Sequence, residues 1–145
     1  MLKSYCFAAA ILAAAAMPAF AEGDCGSTPV GPAIPTASDL SGKTVEEGRA
    51  EVVAAYHQVK IYQGALKPFR ACLKSLDDAD MAAIATAKDK GEKDKIQPLQ
   101  DRIAARLIAN NQTVDAEQQV ATDFNNLHMA QCVNDTDTKI CPKKQ

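Results

Sequence analysis

The chain has 145 residues, 47% of them hydrophobic but only 5% aromatic and none Trp, with 16 basic against 18 acidic side chains. A balance so close to neutral, with no basic residues interleaved with aromatics, excludes a nucleic-acid footprint. Beyond the N-terminus no stretch approaches the about 20 apolar residues that a bilayer span needs.

Residues 1–21 read as an export signal: Lys3 gives a positive start, Cys6 to Met17 is uncharged and apolar, and Ala19-Phe20-Ala21 fits the small-x-small cleavage pattern. The expected location is therefore periplasmic or secreted, with no membrane insertion after cleavage. A lipid anchor is disfavoured because Cys25 follows Glu22-Gly23-Asp24 instead of a small apolar box. Loss of residues 1–21 leaves 124 residues, one domain's worth, and removes one basic group, Lys3, so that 15 basic face 18 acidic side chains. Four cysteines remain, Cys25, Cys72, Cys132 and Cys141. In an exported chain an even set favours disulfides over metal or catalysis.

Residues 22–43 form a leader with Pro29, Gly31, Pro32 and Pro35 among small polar residues. Proline fixes φ and removes a donor, so the leader should be extended, either draped over the helices or left as a tail.

Thr44 to Leu76 reads as one long amphipathic helix. Val45, Val52, Val59, Leu66 and Leu73 occupy one heptad position and Ala55, Tyr62, Phe69 and Leu76 its partner, with Gly48 the one break in the seam. Thr44 and Glu47 make a capping box. Pro68 removes the hydrogen bond to the Gly64 carbonyl, which predicts a bend through which the helix continues.

Residues 77–95 read less clearly. Met81 to Ala87 suits a short helix, whereas the charged, glycine-containing run Lys88 to Lys95 suits a solvated turn. A second helix should begin near Asp94 and fray near Cys132, with Ile96, Leu99, Ile103, Leu107, Val114, Ala121 and Phe124 as its seam. The hairpin domain would span 44–132 and a tail 133–145.

With Leu76 opposite Ile96, Cys132 lies roughly 40 Å from Cys72, too far to bridge. Cys132 can close a local loop with Cys141, and the leader reaches from Cys25 to Cys72. Cys25–Cys132 with Cys72–Cys141 is the rival pairing.

The segments Phe69-Arg70-Ala71-Cys72-Leu73 and Asn111-x-x-Val114-Asp115-x-x-Gln118-x-Val120-Ala121-x-x-Phe124-Asn125 resemble those of a group of small exported bacterial helical-hairpin proteins of unassigned function with a Cys- and Pro-rich leader. The resemblance implies that Cys25 and Cys72 correspond to the group's two cysteines. Cys132, Cys141 and the insertion Lys88 to Lys95 depart from its pattern, and it implies nothing about reaction type.

Asn111, Asp115, Gln118, Thr122 and Asn125 recur at steps of three and four, one polar helix face that can take a peptide, glycan or partner helix, or serve only as a solvated or register-setting face. His57 and His128 fall roughly 14 Å apart in the assumed register, so a shared metal is disfavoured. Asn134, Asp135 and Asp137 lack the ligand alternation of a calcium loop. With no nucleophile elbow, phosphate loop or His-Glu-x-x-His helix, no catalytic residue, cofactor or metal is expected. The chain thus reads as an all-α, coiled-coil-like antiparallel hairpin with a disulfide-closed tail. Its expected role is a non-catalytic interaction or structural module, homodimeric or bound to an unknown protein partner. The alternative is a thiol redox or envelope-stress protein using Cys132 and Cys141.

Overall fold

A computed structural model describes residues 25–133 together with Asp135 and Cys141; residues 1–21, read above as an export signal, and Asn134 and Asp137 lie outside the described residues. Two helices dominate, α1 over Val45–Asp89 and α2 over Ile96–Gln131, packed antiparallel as a hairpin. A 3₁₀ turn, Ala37–Leu40, precedes α1, and another, Lys93–Lys95, leads into α2.

α1 opens on the expected capping box. The Thr44 hydroxyl accepts from the Glu47 amide at 3.3 Å, and the Glu47 carboxylate accepts from the Thr44 amide at 2.7 Å. This satisfies donors that the first helical turn leaves open. The helix runs through Gly64 and Pro68 without interruption. It does not stop at Leu76. The alanine-rich run from Ala82 to Ala87 favours helix and carries α1 to Asp89, where a Schellman motif ends it: Glu92 donates to the Ala87 carbonyl at 2.9 Å and Gly91 to that of Lys88 at 3.1 Å. Gly91 takes the required left-handed conformation, φ 71°.

The turn thus lies at residues 90–95, within the charged run, and the register with Leu76 opposite Ile96 is corrected. The heptad extends past Leu73 to Asp80 and Ala87, both buried. On α2 the buried line advances in sevens through Arg106, Thr113, Val120 and Leu127. The expected seam residues Leu107 and Val114 instead remain 56% and 45% exposed. They lose because the extended α1 turns a different face of α2 inward, one on which polar groups meet polar partners.

The apolar core lies in three clusters along the hairpin. Val52, Ala55 and Leu127 form the first, Val59, Tyr62, Leu66 and Val120 the second, and Phe69, Leu73 and Ala109 the third. The leader drapes over them. Ile34 packs on the first two, Leu40 on the first and Cys25 on the third. Gly31 passes so close to the pair that an added Cβ would meet Val120 Cγ2 at 2.9 Å and the Tyr62 ring at 3.7 Å. Cys25–Cys72 anchors the leader to α1 and Cys132–Cys141 closes the tail, with Cα separations of 5.7 and 5.3 Å. These are the pairs that reach allowed. The rival pairing is absent. No described helix is long and apolar enough to cross a membrane.

Candidate functional site

Chemistry gathers at the end of the hairpin where α1 begins and α2 stops. His128 and Cys132 lie one helical turn apart, so their side chains share a face. The disulfide brings Cys141 to the same place, and one nitrogen of His128 and both sulfurs lie within 4.8 Å of one another. His128 is half-buried, whereas Cys132 and Cys141 are buried. Its ring stacks on Phe124 at 6.1 Å between centroids, and Phe124 in turn meets Tyr56, whose ring also contacts His57.

Around this group Asp135 is fastened to α1 by contacts other than the disulfide. Arg49 grips Asp135 with two parallel hydrogen bonds, Nε and Nη2 each at 2.6 Å, and the Asp135 side chain is fully covered. Gln131 donates to the Val45 carbonyl at 2.9 Å and to Asp135 at 3.3 Å. Gly48 now has a reason: a Cβ there would sit 1.9 Å from Gln131 Oε1. The seam breaks at Gly48 because a glutamine crosses it.

Two further polar layers cross the hairpin. In one, Arg70 donates to Thr113 at 2.9 Å and to Glu117 at 2.7 Å, and Gln63 reaches Glu117 at 3.3 Å. Beside it the Tyr62 hydroxyl is buried with no partner among the described residues, and this burial raises its pKa above the ordinary range. In the other layer, Arg106 pairs with Asp77 at 2.6 Å and with Asp80 at 2.5 Å, while Arg102 also binds Asp80. Burial alone would push the Asp80 carboxyl up, but its hydrogen bonds from Arg106 and Arg102 hold it below the usual carboxylate range.

Toward the turn the leader no longer covers the hairpin. There an apolar groove of about 590 Å³ runs between Met81 and Ile84 of α1 and Ile103 and Leu107 of α2. Met81 is 61% exposed.

Asn111, Asp115, Gln118, Thr122 and Asn125 all lie exposed on α2, and none of them belongs to the thiol cluster or lines the groove. His57 is exposed near the shared aromatic ring of Tyr56. The grouping of His128 with the Cys132–Cys141 pair escaped the sequence reading, although the His-x-x-x-Cys spacing on one helix carried the signal once Cys141 is bonded to Cys132. Comparison with protein-family models, with curated proteins and with solved structures found no match.

Proposed function

We propose that the protein is an exported, non-catalytic interaction module that pairs with a second copy of itself through the turn-proximal half of the hairpin. The observation that carries this reading is the uncovered groove between Met81, Ile84, Ile103 and Leu107. A helix pair with apolar groups on one side of both helices is half of a four-helix arrangement. The same chain elsewhere spends its leader covering the hairpin from Cys25 to Leu40.

Charge favours a copy of the same chain as the occupant. Along α1 exposed Asp78, which pairs with Lys74 at 2.6 Å, stands one turn before Met81, and basic Lys88 lines the groove at the turn. A twofold axis across the groove sets the acidic end of one copy against the basic end of the other, as a self-complementary interface requires. Export, the stapled fold and membership of the helical-hairpin group that the Phe69 to Leu73 motif resembles belong to the same proposal.

Sedimentation velocity across a concentration series tests it. A dimer that dissociates on dilution, and that Leu107→Glu abolishes while helicity is kept, supports the reading. A compact monomer at tens of micromolar, on the order of where weak specific interfaces assemble, refutes it.

A second reading, thiol chemistry at Cys132 and Cys141, draws support from the imidazole beside that bond. A bond reduced by glutathione favours it, because structural disulfides resist that pool.

A further inference from the structure

We infer that the reduced form of the Cys132–Cys141 pair, together with His128, is a binding site for a zinc-class divalent cation, a role that rests on the thiol reading and goes beyond it. The three donors already converge, since the His128 nitrogen and the two sulfurs lie within 4.8 Å of one another. In tetrahedral zinc sites, bonds of about 2.3 Å to sulfur and about 2.0 Å to nitrogen set ligand atoms about 3.5–3.8 Å apart. On reduction the two sulfurs part from their 2.05 Å bond to that spacing, and the His128 nitrogen, no more than 4.8 Å from either, closes to it.

The donor chemistry fits the ion. Two thiolates and one imidazole form a soft, mixed set that zinc prefers and that calcium and magnesium, which want oxygen, do not. Two thiolates cancel the charge of a divalent cation, so the complex is neutral, which suits a site whose cysteines are both buried. Three protein ligands leave a fourth position for water or an incoming ligand. Asp135 is not that ligand. Both its oxygens are held by Arg49, one of them also by Gln131.

This second set of contacts is what makes the site persist after the disulfide opens. Arg49 and Gln131 tie the segment after Cys132 to the start of α1 through hydrogen bonds that reduction leaves intact. The sulfur of Cys132 stays on the helical turn that carries His128, and Arg49 holds Asp135, three residues beyond Cys132, against the start of α1. Ligands held in place beforehand spare the ion the ordering entropy of an open loop.

The two states interconvert by balanced steps. A dithiol reductant supplies two electrons and two protons, the sulfur–sulfur bond breaks to give two thiols, and the reductant leaves as its cyclic disulfide. The cation then displaces the two thiol protons and takes the neutral imidazole nitrogen of His128, releasing two protons to solvent. A small-molecule disulfide of the glutathione class, which takes the two electrons, draws two protons from solvent and leaves as two thiols, re-forms the Cys132–Cys141 bond and expels the ion.

Anaerobic titration of the full exported chain with cobalt(II), followed by competition with zinc, tests the inference. Thiols are counted before and after treatment with a phosphine reductant. A Cys25→Ser/Cys72→Ser background, checked for helicity by circular dichroism, isolates the pair. The expected result is one cobalt per chain with thiolate charge-transfer absorption after reduction, none before it, and displacement by zinc. Cys141→Ser should abolish the absorption. His128→Ala should weaken zinc by at least about tenfold, since even partners outside the ligand set are worth that much.

Free thiols at Cys132 and Cys141 with no bound metal would overturn the inference and leave the thiol reading standing. Equal affinity in His128→Ala would overturn the assigned ligand set. A pair that stays oxidised under reductant in the folded protein would overturn both.

Discussion

Asp80 sits one heptad after Leu73, at a position where the preceding turns of α1 place leucine or valine, and its removal should be among the most damaging single changes in the turn-proximal half. The residue is 7% exposed and binds both Arg106 and Arg102. Breaking a buried ion pair by deleting one partner costs about 3–5 kcal/mol when the other charge is left stranded. Arg106 is not wholly stranded, because Asp77 still holds its Nε at 2.6 Å, and Arg102 can turn to solvent. We therefore place Asp80→Ala at the lower end, about 3 kcal/mol, which lowers the melting temperature by about 10 °C in a domain of this size. Replacing both charges is a different experiment. Asp80→Leu/Arg106→Leu fills the heptad with packed apolar groups and should be neutral or stabilising, as buried ion pairs exchanged for well-packed hydrophobes generally are. The predicted cost of that change is specificity, because the ion pair is what distinguishes this register of the two helices from neighbouring ones. Urea unfolding followed by circular dichroism measures the first quantity, and sedimentation together with amide spectral dispersion reads the second. An Asp80→Ala variant within 0.5 kcal/mol of the parent, the scatter of ordinary surface changes, would refute the reasoning. A double leucine variant destabilised by more than about 3 kcal/mol would refute it equally.

Acid should act through the same layer. Asp80 is held below its unfolded pKa of about 3.9, so the unfolded chain binds more protons between the two values and stability falls as pH drops through them. A thermal melt series from pH 6 downward should be flat and then decline below about pH 4, and Asp80→Asn should decline less. Gly48→Ala would normally gain about 1 kcal/mol of helix propensity, but here the methyl displaces Gln131. The change should be neutral or destabilising in the parent and stabilising in a Gln131→Ala background, a sign reversal that a double-mutant cycle in urea detects. Gly64→Ala meets nothing within 4 Å on an exposed helical position and should gain about 0.5–1 kcal/mol. Loss of the Cys25–Cys72 bond, which closes a span of 47 residues, should cost about 4 kcal/mol in the chain-entropy picture, and proteolysis of the leader reports it.

How far the fold could be read ahead of the structure depended on which groups carried the pattern. The heptad from Val52 to Leu73 is apolar and therefore visible, and Thr44 with Glu47 marks the helix start by side-chain chemistry alone. Reach excludes Cys72–Cys132 and favours the pairs found, but it leaves Cys25–Cys132 with Cys72–Cys141 open until the structure decides. The register itself was not visible. Its decisive residues, Asp80 and Arg106, look like surface charges until they are placed opposite one another, so the pattern seemed to end at Leu76. On α2 the same blindness favoured Leu107 and Val114 over Arg106 and Thr113, which are buried because Asp80 and Arg70 await them. The thiol and imidazole cluster was hidden for another reason. It requires the bond to Cys141, and a spacing between cysteines does not by itself show which histidine they approach.

The most deeply buried ionic layer between the two helices, that of Arg106 and Asp80, lies beyond the end of the leader. Cys25, the first described residue of that cover, is stapled at Cys72, and the charged layer at Asp77 and Asp80 begins one turn later. Under the leader a fully enclosed charge would carry a desolvation cost that pairing does not reliably offset, and the Arg70–Glu117 pair there stays partly exposed. Beyond it the hairpin is only two helices thick, and Arg102 keeps 58% of its side chain in solvent while still reaching Asp80. The ionic layer therefore occupies a place where fixing the register costs least. It also sets the hairpin's two sides apart, because Arg102 borders the groove of Ala83, Pro98 and Leu99, whereas the groove of Met81 and Leu107 is bordered by Lys88 and Gln100. A second copy that brings an acidic group to Lys88 keeps that charge partnered as the groove closes, whereas a wholly apolar peptide does not.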